Sequence, residues 1–295
     1  MAFSFKRKVP AITLNTGFSD IVRNILKSRD MTVSLVLLML VVVLALISPY
    51  IAPYDPNAIN LDNKNLGPTT SHWLGTDYLG RDMLSRLLIG ARTSLLISSC
   101  VVAVSLAIGV TVGCIAGYYG GIVDDIISRV VDIFMSFPGM IFALAMLGAL
   151  GPGITNMVIS MAMVQWSTYA RLMRGQVLSV KKNEYIQSAA IIGASDARIV
   201  GKHIIPNSIA PIIALATLDM GGVILWIAAL SFLGIGLPAD VPEWGSILSS
   251  GKEFMRTAPL ITILPGLAIT FVVVLFSILG DGMRNILDPH KGEIE

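Results

Sequence analysis

Six apolar runs of about twenty residues or more punctuate the chain, at about 31–51, 94–118, 130–149, 153–172, 208–235 and 259–281. The hydrocarbon core of a bilayer is about 30 Å thick and a helix rises 1.5 Å per residue, so each run is long enough to cross it. The pattern predicts an all-α polytopic membrane protein with six transmembrane helices. Between the third and fourth runs stands only Gly148-Ala149-Leu150-Gly151-Pro152-Gly153, whose glycines and proline break any continuous helix. The third run is the least regular, with Asp132 and Pro138 near its start. On the second, Gly109, Gly113 and Gly117 recur every four residues, giving a smooth face suited to close helix–helix contact more than to a permeation surface. No repeat of 20–50 residues and no low-complexity segment interrupts the pattern.

Composition agrees with lipid burial. Of 295 residues, 54% are hydrophobic and only 14% charged, with mean hydropathy +0.76, whereas soluble domains carry about 25% charged residues. The first apolar run begins only near Met31 and lacks a small-x-small cleavage site, so it reads as a span rather than a secretory signal. A net charge of +2, with no basic run interleaved with aromatics, gives no basis for nucleic-acid binding. Cys100 and Cys114 lie fourteen residues apart in one run, about 21 Å along a helix, too far for a disulfide.

Lysines and arginines orient the spans. With the N-terminus inside, fifteen of the twenty-one fall in cytoplasmic segments, including Lys6, Arg7, Lys8, Arg171, Arg174, Lys181 and Lys182. Six fall outside: Lys64, Arg81, Arg86, Arg92, Lys252 and Arg256. The excess predicts that both termini and the long 171–207 loop face the cytoplasm. The expected organisation is a cytoplasmic segment 1–30, a transmembrane domain 31–281 and a cytoplasmic tail 282–295.

That loop is helically patterned. Asn183 is placed to cap a helix opening at Glu184, and Ser195 or Asp196 a second one running to Ile205, with Pro206 and Pro211 helping to end it. Ala189, Ala190 and Gly193 leave one face of the first helix slender, suited to a partner's cleft. A helix lying on lipid would favour basic residues along its polar face and bulky anchors opposite. The small residues therefore favour docking. The spacing of Glu184, Tyr185, Ala189, Ala190, Gly193 and the distal Ile205-Pro206 resembles the "EAA" loop of ABC-importer permeases, on which separate ATPases act.

A second motif is predicted to lie outside. His72-Trp73-Leu74-Gly75-Thr76-Asp77-Tyr78-Leu79-Gly80-Arg81-Asp82, continuing to Ser85-Arg86, resembles the LGTDxLGRDxxSR signature of the C-type permease of peptide and nickel importers. Ser136-Phe137-Pro138, Tyr169-Ala170-Arg171, Leu230–Gly236, Pro242-Glu243-Trp244-Gly245 and Gly280–Asn285 with Leu287-Asp288-Pro289 match as well, so the resemblance covers the chain from Met31 onward. Gln187-Ser188 stand where that family varies. Gly75 and Gly80 permit turns, while Asp77, Arg81 and Asp82 are placed to form ion pairs and a cap. A structural latch at the outer mouth is preferred over a substrate role, because exposed Asp/Arg clusters usually fix loops.

Asp219 sits near the middle of the fifth run, followed by Met220. A charge at helix centre costs about 2.5–3.5 kcal/mol, so it must face protein or a water-filled path. Two readings stay open: a group lining the substrate path, or a carboxylate satisfied by hydroxyls or a neighbouring subunit. Peptide-type relatives commonly carry a glutamate before the Leu-Ser-Phe-Leu-Gly run, where Ile227-Ala228-Ala229 stands here. Asp219-Met220-Gly221 looks more like nickel and metal-chelate permeases. His72, His203 and His290 are scattered, no metal site is assigned, and the fourteen methionines read as core residues.

Gly201-Lys202-His203 and Gly251-Lys252-Glu253 lack the spacing and the Ser/Thr of a phosphate-cradling loop, and no protease or hydrolase motif occurs. The chain is not expected to be an enzyme or to carry a cofactor. The resemblance implies a type I ABC importer permease (MetI-like) fold in a bacterial cytoplasmic (inner) membrane, bathed in lipid. It further implies a homologous second permease subunit, two ABC ATPase subunits and an extracytoplasmic solute-binding protein. The expected cargo is nickel or a metal chelate, with di- or oligopeptides as the alternative. The rival from another class, an ion-gradient transporter, would show inverted repeats and several ionisable residues at mid-span. Only Asp219 qualifies.

Overall fold

The computed structural model of the protein describes residues 28–238 and 240–287. The basic residues at 6–8, Arg23 and Lys27, and the tail with Asp288-Pro289, His290 and Lys291, lie outside the described residues. The chain is helical, and among the described residues no strand forms; one isolated bridge joins Thr76 and Asp82.

Helix α1 is Arg29–Ile51, and α2 is Met83–Tyr119, a 37-residue helix that begins well before the apolar run. Its early start has a local cause. Asp82 is the N-cap, its carboxylate accepting from Ser85 N at 2.8 Å, and Arg86 is buried rather than solvated. Helices α3, Gly121–Ser136, and α4, Gly139–Leu150, occupy the stretch read as one third span from 130 to 149. They meet at a bend of 86°. Pro138 explains the break: it has no N–H to continue the ladder, and it confines Phe137 to an extended conformation (φ −90°, ψ 139°).

Helix α5 is Ile154–Val180. The loop segment carries α6, Glu184–Ile191, then α7, Asp196–Ile199, one π-helical stretch Val200–Ile204, and α8, Ile205–Ser208. Helix α9 is Ala210–Phe232, α10 is the short Trp244–Gly251 and α11 is Leu260–Leu287. Pro206 does not stop the second loop helix. It sits in the first turn of α8, where a missing N–H costs nothing, and Pro211 likewise opens α9.

By length and apolar composition, four helices among the described residues can cross a membrane (α1, α2, α9 and α11), or five if the bent pair α3–α4 counts as one. The count of six expected from hydropathy is not reached on this criterion. Helix α5, in the fourth predicted span, carries Gln165, Arg171 and Arg174 along with several hydroxyl residues, which lower its apolarity.

Two large cores hold the helices together. The first joins α2, α5 and α9 through Ile97, Val101, Tyr169, Met173, Ile212 and Val223. The second packs α1 and α11 on α9 through Leu38, Ala45, Ile224, Val272 and Phe276. The small-residue face of α2 lies against α5. A Cβ on Gly113 would collide with the Ala170 carbonyl, and one on Gly117 would stand 2.8 Å from Val177 Cβ. These glycines therefore permit backbone approach between two helices. Cys100 and Cys114 are free thiols, the first exposed and the second buried.

Candidate functional site

The 171–207 segment is built as a rigid base with an exposed apolar tip. The Asn183 carbonyl accepts from Ile186 N at 3.0 Å and Gln187 N at 3.3 Å, starting α6. Gly193 ends it in the left-handed region (φ +84°), and Ala194 N donates back to the Ala189 carbonyl at 3.1 Å. This is a Schellman closure, which a side chain at 193 would strain. One side of α6 turns inward. Ile186 is buried in the α2–α5–α9 core, and Ala189 packs against it, as do Ile199 and Ile204 from the following helices and, partly buried, Ile205. Ala190 lies within the same helix, and Pro206 is exposed.

The other side faces away. Glu184 and Gln187 are exposed, and the half-exposed Tyr185 ring stands edge-on to His203, 6.3 Å between centroids. Ile191 and Ile192, at the end of α6, are 85% and 84% exposed. Sequence reading emphasised the alanines, of which Ala189 faces the core, and passed over these isoleucines. Their adjacency to the helix-ending glycine was the available signal.

The 72–86 motif folds into a buried polar network at the start of α2. Asp77 is 1% exposed, and its carboxylate accepts from Leu79 N at 2.9 Å, Arg81 N at 3.0 Å and Arg81 Nε at 2.6 Å. The Arg86 Nε is 3.7 Å from the same carboxylate, and its guanidinium also donates to the Pro56 carbonyl at 2.9 Å. Asp82 bonds His72 Nδ1 at 2.9 Å and the Ser85 hydroxyl at 2.8 Å. Gly75 and Gly80 both have positive φ, and a Cβ on either would run into the backbone of Leu66 or Asn60. Gly80 thus lets the loop after α1 close onto the turn.

Glu243 carried no role in the sequence reading beyond its place in a motif. It is 1% exposed and caps α10, accepting from Gly245 N at 2.8 Å and Ser246 N at 2.9 Å. It also accepts from Ser94 Oγ of α2 at 3.0 Å and Ser231 Oγ of α9 at 3.2 Å. One carboxylate thereby joins three helices.

Asp219 is half-buried midway along α9, beside the buried Tyr169 hydroxyl of α5. Met220 packs partly buried against both cores. The carboxylate and the loop tip occupy different parts of the fold and form no common site. Among the described residues, no three His, Cys, Asp or Glu side chains converge as a metal site.

Comparison with known proteins places this architecture. Residues 109–292 match the family described as the binding-protein-dependent transport system inner membrane component, and residues 17–68 match the N-terminal TM domain of oligopeptide transport permease C. A dipeptide transport system permease protein of Alkalihalophilus pseudofirmus is 41% identical over 263 residues, 89% of this chain and 86% of that one. The nickel transport system permease protein of Escherichia coli K12 is 40% identical over 267 residues, 90% of this chain and 96% of that one. In fold, the chain is similar to the inward-facing MetNI methionine ABC transporter, with TM-score 0.57 and 19% identity, covering 70% of this chain and 98% of that one. The all-helical fold is thus that of the MetI-like permeases. The chain belongs to the family of binding-protein-dependent ABC importer permeases, multi-pass proteins of the inner membrane. It is a transport subunit, not an enzyme.

Proposed function

We propose that this permease forms half of a translocation path, completed by a homologous second permease, and that α6 is the element on which the ATPases push. With six spans and the N-terminus inside, the lysine and arginine bias supports a cytoplasmic position for both termini and the 171–207 loop. Two ABC ATPase subunits dock beneath, and an extracytoplasmic solute-binding protein delivers cargo from the other side.

The observation that carries this reading is the two-sided build of α6. Ile191 and Ile192 offer a partner an apolar tip, while Ile186, Ile199 and Ile204 anchor the loop in the core shared by α2, α5 and α9. A partner that seats on the tip and moves cannot do so without shifting those helices, because a close-packed core transmits displacement. Closure of the ATPases on ATP would then swing the spans between inward-open and outward-open states. Glu184, Tyr185, Ala189, Ala190, Gly193, Ile205 and Pro206 make up this coupling element. The Gly75, Asp77, Gly80, Arg81 and Asp82 network latches the outer mouth.

For cargo, Asp219 and Met220 on the path favour nickel or a metal chelate, which a carboxylate attracts. Short peptides are the second reading, supported by the similarity to a dipeptide permease. The test is reconstitution of the permease pair with ATPases and binding protein in proteoliposomes. Uptake should require ATP; uptake driven by an ion gradient without the ATPases would contradict the proposal. Binding of free nickel, nickel chelates and short peptides to the solute-binding protein then separates the two cargo readings.

A further inference from the structure

The coupling loop has a second attachment, away from the apolar core. The Tyr118 hydroxyl, in the last turn of α2, donates to Asp196 Oδ1 at 2.7 Å, and Asp196 is the first residue of α7. Lys181, immediately after α5, donates from Nζ to the Tyr118 carbonyl at 2.5 Å and lies 5.4 Å over the Tyr118 ring. The ring itself packs against the core that includes Ile199 and Ile204. One side chain thus joins the inner end of α2, the end of α5 and the start of the second loop helix.

Its position along α2 gives the contact its meaning. Helix α2 has 37 residues, a rod about 55 Å long. Its other end is capped by Asp82 and holds Arg86 in the buried Asp77 network. Along its inner half, Gly109, Gly113 and Gly117 seat it against the α5 backbone, so the two helices move together. Directly after Tyr119 come Gly120 and Gly121, both at positive φ with open space where a Cβ would stand. Beyond that two-glycine turn α3 changes direction and packs on α5, where Arg174 Nη2 donates to Asp124 Oδ2 at 2.7 Å and Val131 meets Trp166. Tyr118 therefore gives α7 a direct polar link to the end of α2, beside the apolar core through which Ile199 and Ile204 also reach that helix.

We propose that Tyr118 is a positioning residue of coupling: it straps α7 to α2, so that movement of the ATPase-docking loop is delivered to the outer-mouth network through a single helix. This inference rests on the docking role proposed for α6. It is tested in the complete reconstituted importer by the ratio of cargo taken up to ATP hydrolysed. Y118F removes only the hydroxyl. It should keep the ATPases bound at wild-type stoichiometry and lower the uptake-to-hydrolysis ratio about fivefold, the effect of losing one hydrogen bond. D196N retains a side-chain carbonyl acceptor and should hold the ratio near wild type, whereas D196A should behave like Y118F. A wild-type ratio in Y118F would overturn the strap. So would loss of the ATPases from Y118F, which would make Tyr118 a structural support only. Failure of the docking reading shows differently, as ATPases that stay bound when Ile191 and Ile192 are both made polar.

Discussion

Ser94 on α2 and Glu243 at the start of α10 are 149 residues apart in sequence and joined by a 3.0 Å hydrogen bond in the fold. The same carboxylate holds Ser231 of α9 and two backbone N–H groups of α10, all within a site from which solvent is excluded. Hydrogen bonds to a charged group contribute about 1.5–3 kcal/mol each before coupling between them. E243A should therefore lower stability by at least about 2 kcal/mol, while E243Q, which keeps one acceptor and the volume, should lose less. Thermal unfolding of the purified permease in detergent reads the difference, and equal stability of E243A and wild type would remove Glu243 from this structural role.

The Asp77 network makes a sharper prediction, because it is a buried cluster of charge. Arg81 and Arg86 share the Asp77 carboxylate, and all three side chains are at most 4% exposed. Removing one partner of a buried ion pair costs about 3–5 kcal/mol, since the remaining charge is left in a poor environment. D77N should open the 60–82 loop to limited proteolysis while leaving the spans folded. Wild-type protease resistance would argue that the network is not what holds this loop.

For Asp219, the distinction lies between transport and assembly. D219N keeps the side-chain volume and removes the charge. If the carboxylate lines the path, ATP-driven uptake should fall at least tenfold while the complex still purifies whole. Unchanged uptake would return Asp219 to a packing role beside Tyr169.

Much of this was legible in the chain, and the failures have physical causes. Helix α1 follows its apolar run because no charge interrupts it between Met31 and Ile51. The α2 glycines predicted a contact face because a four-residue repeat of missing side chains has few other uses. The start of α2 was hidden because Arg86 and Arg92 look like solvated charges until Asp77 is brought against Arg86 by a turn. Pro138 marked the weak point of the third span, but its 86° consequence depends on how α4 packs against α5. Glu243 was invisible as a hub because its partners at 94 and 231 are remote in sequence. In the loop, Glu184 and Gly193 marked the ends of a helical element, while the division between its buried and exposed sides depends on the core beneath it.

The central claim is that α6 carries the push of the ATPases through its exposed tip. ATP-driven cargo uptake by the reconstituted importer carrying I191D/I192D tests it most directly. Both side chains stand clear of the core, so the permease should unfold at its wild-type temperature. Uptake should be abolished and the ATPases should no longer co-purify with the permease. Wild-type uptake by that variant would contradict the claim.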